Sequence, residues 1–165
     1  MPYTDLNSIH DPATNTSPPA AWGDGVYTNF EWLNPVLATY TPTLSQGASS
    51  NIAKTVNRAD YMRVGLIVFV WVHLSPTASG TSGSAWTVTL PVTAATSPGG
   101  HVIGSAWIAN TSVSPPNRVC GVSLVSTTTV NFVVDSENNY YGVTPNDAIA
   151  SGDGLLFHAT YRAAS

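Results

Sequence analysis

Charge is what this chain has least of. Asp, Glu, Lys and Arg make up 8% of its 165 residues, against about a quarter in an ordinary domain. The five basic residues, Lys54, Arg58, Arg63, Arg118 and Arg162, are dispersed, and the formal net charge is -4. With no basic stripe to neutralise phosphates, the sequence excludes a nucleic-acid groove. Cysteine is nearly as scarce: Cys120 stands alone, so no intrachain disulfide can form and no thiolate cluster can hold zinc. It falls in the strand-like stretch 119–125, where a buried structural thiol is the expected state. A membrane-length apolar run is also lacking. The best, Tyr61 to Leu74, has an apolar core of about ten residues where a membrane helix needs roughly 20. The opening MPYTDLNSIHD carries neither a basic n-region nor an apolar h-region, which reads as a protein made in soluble form.

What the chain does have is hydroxyl groups and apolar side chains. Ser and Thr supply 18 and 20 residues, and 43% of the sequence is hydrophobic, enough for a packed core rather than a disordered chain. The run YMRVGLIVFVWVHL at 61–74 is rich in Val, Ile, Phe and Trp, which favours a strand. Taken as one strand, it places Met62, Val64, Leu66, Val68, Val70, Val72 and Leu74 on one face. The other face carries Arg63, Gly65, Ile67, Phe69, Trp71 and His73. Neither is built for water, so one face is expected in the core. The second, with Ile67, Phe69, Trp71 and His73, is then the candidate subunit interface, in keeping with the depletion of charge at interface cores. At a three-fold axis His73 could form a ring that titrates or binds an ion.

Composition changes near Pro35. Residues 1–35 hold five of the twelve prolines, Pro2, Pro12, Pro18, Pro19 and the closing Pro35, and one segment at helical spacing, Trp22, Val26, Phe30 and Leu33. Ser17 with Pro18 and Pro19 suits a helix start and Pro35 an end, giving a helix of about three turns that needs a partner for its Trp, Phe and Leu face. From residue 36 the pattern is all-β. Strands are expected at 36–41, 52–56, 62–74, 86–90, 101–108, 119–125, 129–134, 140–143 and 155–161, separated by turn-rich segments. That spacing predicts a single antiparallel β-sandwich, jelly-roll-like, over 36–165, preceded by an extended arm over 1–35 with its short helix. Loops 75–84 and 93–100 are the best candidates for mobile, binding-capable segments.

No catalytic motif assembles. His10, His73, His101 and His158 show no HExxH spacing, and no GxSxG elbow exists. Asp135 and Glu137 stand at i and i+2, a spacing that does not by itself set two carboxylates across a sugar. The GDG triplets at 23–25 and 152–154 are turn signals, and the sequons at Asn15 and Asn110 lack a secretory context. Neither a metal nor a cofactor is implied. Tyr140 and Tyr141 in ENNYYG form the best candidate sugar or receptor platform; otherwise one ring packs inward while the other covers a strand edge.

Several stretches together resemble small virion proteins of tailed bacteriophages, especially phages of actinomycetes. The arm SIHDPATNTSPPAAWGDGVYTNFEWL is similar to an N-terminal segment of such proteins with the pattern IH-P-A-T, then A-W-G-D, then N-x-E-x-L. YTPTL at 40–44, YMRVG at 61–65, GSAWTVTLPV at 83–92 and ASGDGLLFHATYRA at 150–163 follow in the same order. Arg63-Val64-Gly65-Leu66-Ile67 departs from the family's basic-Gly-basic segment in being more apolar. The resemblance implies a β-sandwich that usually trimerises, no catalytic residues, and an arm that fixes it to the particle. Ile9, His10, Pro12, Trp22, Phe30 and Leu33 are then the candidate virion-attachment residues. The expected partners are sister copies and the major capsid protein or tail proteins, with a host-surface glycan as a further candidate. A homotrimer on the virion exterior, made in the host cytoplasm, is the expectation. Its compactness favours head decoration; a tail-associated receptor- or carbohydrate-binding protein is the alternative, and a depolymerase using Asp135 or Glu137 a more distant one.

Overall fold

The computed structural model describes residues 36–95, 101–111, 117–135 and 139–165, all within the unit Val36–Ser165. The predicted helix and the six attachment residues lie outside these segments. The described chain is all-β and contains no helix. Its nine strands are β1 (Val36–Thr39), β2 (Leu44–Gln46), β3 (Lys54–Val64), β4 (Ile67–Pro76), β5 (Trp86–Thr89), β6 (Val102–Ala109), β7 (Asn117–Leu124), β8 (Thr129–Val133) and β9 (Gly154–Arg162). They form one sheet in the order β1-β3-β4-β9-β6-β7-β8-β5-β2, with every pairing antiparallel.

The run at 61–74 is a hairpin and not one strand. Gly65 and Leu66 form a two-residue turn between β3 and β4, with Val64 paired to Ile67. Gly65 has a φ of 58°, the left-handed conformation that the first central residue of a type II′ turn needs and that glycine adopts without a steric penalty. Arg63 donates from Nε to the Gly65 carbonyl at 2.8 Å and clasps the turn. The reversal also corrects the face assignment. Met62 pairs with Phe69 and Tyr61 with Val70, so Met62 and Val64 share the face of Phe69 and Ile67, not that of Val68. An apolar Leu66 in the turn disguises two strands as one. The segment expected as a strand at 140–143 is a turn that holds only an isolated bridge from Tyr140 to Val133. Three-residue β2 falls in a stretch expected to be a loop.

Topology explains why the sheet curls into a half-barrel. β1 and β2 occupy its two edges, yet only residues 40–43 join them. Laid flat, nine strands would hold those edges roughly 38 Å apart, whereas the connection reaches at most about 18 Å. The sheet therefore bends until its edges approach. Thr43 N donates to Thr89 Oγ1 at 2.8 Å, Tyr40 Oη to Thr89 O at 3.3 Å, and Ile52 N to Leu44 O at 2.8 Å across that seam.

The core fills the concavity. Val68, Val70, Val72 and Leu74 of β4 are buried, as are Leu155, Phe157, Ala159 and Tyr161 of β9, while Trp86, Val88, Val130 and Phe132 come from the opposite end of the sheet. Phe132 and Phe157 lie on strands that are not neighbours, and their ring centroids are 5.7 Å apart. Each such side chain contributes about 1.5 to 3 kcal/mol by leaving water. At one end of the core Gln46 is fully buried and replaces missing backbone partners for two loops. Its Nε2 donates to Ser84 O at 3.0 Å and Asp147 O at 2.7 Å, and its Oε1 accepts from Ile149 N at 2.8 Å. Gly142, at φ 97°, lies against this cluster, where a Cβ would collide with the Ser84 carbonyl oxygen.

Candidate functional site

Side chains opposite one another in paired strands point to the same side of the sheet, so the register lays out the outer face as rows. One row runs Asp60, Trp71, His158, Ser105, Gly121 across β3, β4, β9, β6 and β7. The adjacent row runs Arg58, His73, Leu156, Trp107, Val119. Toward the hairpin, Met62, Phe69 and Thr160 form a third, and Val64, Ile67 and Arg162 a fourth. Ile67, Phe69, Trp71 and His73 thus occupy the outer face of β4, alternating with the buried valines and Leu74. This alternation agrees with the sequence reading for β4 alone.

The rows divide that face into two environments. Its hairpin end is apolar on β3 and β4, where Met62, Val64 and Phe69 are half-buried and Ile67 is 41% exposed, and is bordered on β9 by exposed Thr160 and Arg162. The other end is a shallow basin of about 410 Å³. Trp71 and Trp107 stand at opposite corners, Leu156 and His158 of β9 lie between them, and His73 and Ser105 hold the other two corners. Trp107 is 41% exposed and Trp71 half-buried. The depression has a simple cause: Leu156 and Ser105 rise less from the sheet than the indoles diagonal to one another across β9.

Polar groups are interleaved with these rings. The Arg58 guanidinium carbon sits 5.7 Å from the centre of the Trp71 ring, a cation–π distance. Arg58 Nε also donates to Asp60 Oδ2 at 2.7 Å, leaving its terminal nitrogens directed elsewhere. As the pair is solvent-exposed, it orients the guanidinium more than it stabilises the fold. Ser105 Oγ and His158 Nε2 lie 3.4 Å apart. The ring of His73 makes no hydrogen bond among the described residues. Phe69 stacks on Trp71 with centroids 6.4 Å apart and planes 15° from parallel, linking the apolar end to the basin.

The other candidates separate. Tyr141 is not on the surface: it is fully buried, edge-on to Trp86 at 5.0 Å, and burial pushes its phenol well above the usual range. Tyr140 is half-buried beside it in the turn. Asp135 accepts from Asn139 Nδ2 at 2.8 Å and Asn139 N at 3.4 Å, closing its loop, while Glu137 lies outside the described residues. Asn110 is fully buried, which removes that sequon from glycosylation chemistry. Cys120 is buried, and its thiol is pushed up to about 11 by desolvation, with Arg118 opposing. Among the described residues no group of three His, Cys, Asp or Glu side chains could hold a metal. Arg58, Trp107 and Leu156 carry no signal singly; the register joins them. The one available hint is Trp107 standing out of phase with Ala106 and Ile108 in an alternating strand. No protein-family model matches this chain, and no curated protein matches it.

Proposed function

We propose that this chain is a structural protein of a tailed-bacteriophage virion, a homotrimer carried on the particle exterior as a head decoration and anchored by residues 1–35. In this reading the curled sheet is a jelly-roll-like sandwich, with β1-β3-β4-β9-β6 facing β7-β8-β5-β2 across the core. The Phe132–Phe157 contact supports that division. The observation that carries the assembly reading is the apolar hairpin end of the outer face, Met62, Val64, Ile67 and Phe69, on a chain with so few charges. Sister subunits cover it, and each large side chain so buried contributes about 1.5 to 3 kcal/mol before the costs of association. The virion assignment comes from the ordered sequence resemblance, which spans both the arm and the sheet.

Two measurements test this. Light scattering on the purified protein should give a trimer, and Phe69→Asp should give monomers or insoluble chain; a soluble trimeric Phe69→Asp protein would remove the interface from this face. Quantitative mass spectrometry of purified particles should then find hundreds of copies. A few to a few dozen copies would favour the second reading, a tail-associated receptor-binding protein, for which the open basin between Trp71 and Trp107 is the supporting feature. Absence from particles would end both.

A further inference from the structure

We infer that the basin between Trp71 and Trp107 is a saccharide-binding site, and that it takes a pyranose ring of a surface glycan. The inference does not depend on the virion reading, since a protein at either position, or in no virion, could carry it. Trp71 and Trp107 lie two strands apart and one row out of step, placing their Cα atoms roughly 12 Å from each other. A sugar ring fits between indoles so placed, laying its C–H face on one of them, because an aromatic face is apolar and carries partial negative charge. Leu156 gives the centre an apolar floor, and the volume of about 410 Å³ suits one or two sugar units.

Hydroxyls need partners at the edges of that ring. Arg58 offers terminal N–H donors held in place by Asp60 and by Trp71; Ser105 and His158 offer a hydroxyl and a ring nitrogen from the middle; His73 adds a second imidazole. Four polar side chains converge on the basin, whereas at the hairpin end Thr160 and Arg162 only border the apolar side chains of β3 and β4. Cores of protein–protein interfaces are depleted in charge, whereas a small-molecule site combines apolar walls with a few convergent polar groups. All of them are mounted on paired strands, so little ordering is required on binding.

The test uses the full chain on a glycan array that includes neutral hexoses, N-acetylhexosamines and uronic acids as oligosaccharides. Hits are followed by titration with tryptophan fluorescence. Binding to at least one class is expected, with Trp107→Ala weakening it about tenfold or more, the size of a central aromatic contact. Circular dichroism and light scattering should show that variant folded and in the same oligomeric state. Arg58→Ala separates the ligand sources: a loss confined to uronic-acid sugars assigns a carboxylate to Arg58, and an equal loss across classes assigns hydroxyl recognition. Binding unaffected by both Trp107→Ala and Trp71→Ala would overturn the site. So would the absence of any hit, or a Trp107→Ala protein that folds but changes oligomeric state, which would give the basin to a second copy.

Discussion

Single side chains in this protein report burial through their chemistry. Cys120 is 3% exposed and its thiol is pushed up to about 11, so almost no thiolate is present near neutrality, and the sulfur is out of reach. A maleimide at pH 7.5 should leave the native chain unlabelled and modify it within minutes once guanidinium is added. Rapid native labelling would place residues 117–124 differently. Tyr161 makes a complementary prediction. Burial, reinforced by Tyr61 and opposed by the hydrogen bond to Val92 and by Arg63, raises its phenol to about 12 from 10.0. Because the folded state holds this proton more tightly than the unfolded chain, its contribution is complete below pH 10 and disappears as pH rises from 10 through 12. Thermal midpoints should therefore fall steeply across that window. Tyr161→Phe should flatten the fall without abolishing it, since Tyr40 and Tyr141 are raised as well. An unchanged slope would remove Tyr161 from the account.

At the scale of elements, the loops at the Gln46 end show how a three-residue strand can matter more than a long one. Gln46→Ala would leave the Ser84 carbonyl and the Ile149 amide without their side-chain partner, while the Asp147 carbonyl would keep the Trp86 Nε1 donor at 3.2 Å. Each buried orphan costs about 1 to 3 kcal/mol. Allowing for water entering the space, the variant should lose roughly 2 to 4 kcal/mol, seen as a lower urea midpoint at unchanged slope. β2 is also where sequence reading is weakest, because Leu44-Ser45-Gln46 is too short to show a period. Strands with alternation, such as Trp86, Val88 and then Val130, Phe132, are legible at once, since one wet face leaves a visible pattern. The β3–β4 hairpin is legible as β-structure but not as two strands: an apolar turn residue erases the punctuation that usually marks a reversal. The outer face of β4 follows from alternation alone. The basin does not, as Arg58, Trp107 and Leu156 come from three strands separated by up to about a hundred positions, and only the pairing order brings them together.

For the whole molecule, the decisive feature is that the nine described strands, all their pairings and the seam at 40–43 lie within Val36–Ser165. On the proposed reading, folding and attachment therefore belong to different parts of the chain. A protein lacking residues 1–34 should remain a folded trimer, with a thermal midpoint within a few degrees of the full chain, because its core is intact. It should fail to join particles, since Ile9, His10, Pro12, Trp22, Phe30 and Leu33 are gone. Adding purified truncated and full-length proteins to particles grown without either, then sedimenting them, separates the outcomes. If the truncated trimer sediments with particles as well as the full chain does, the anchor is on the sheet. If the truncated chain cannot fold, the arm is part of the domain. Only a folded trimer left in the supernatant is the behaviour of an arm whose work is attachment.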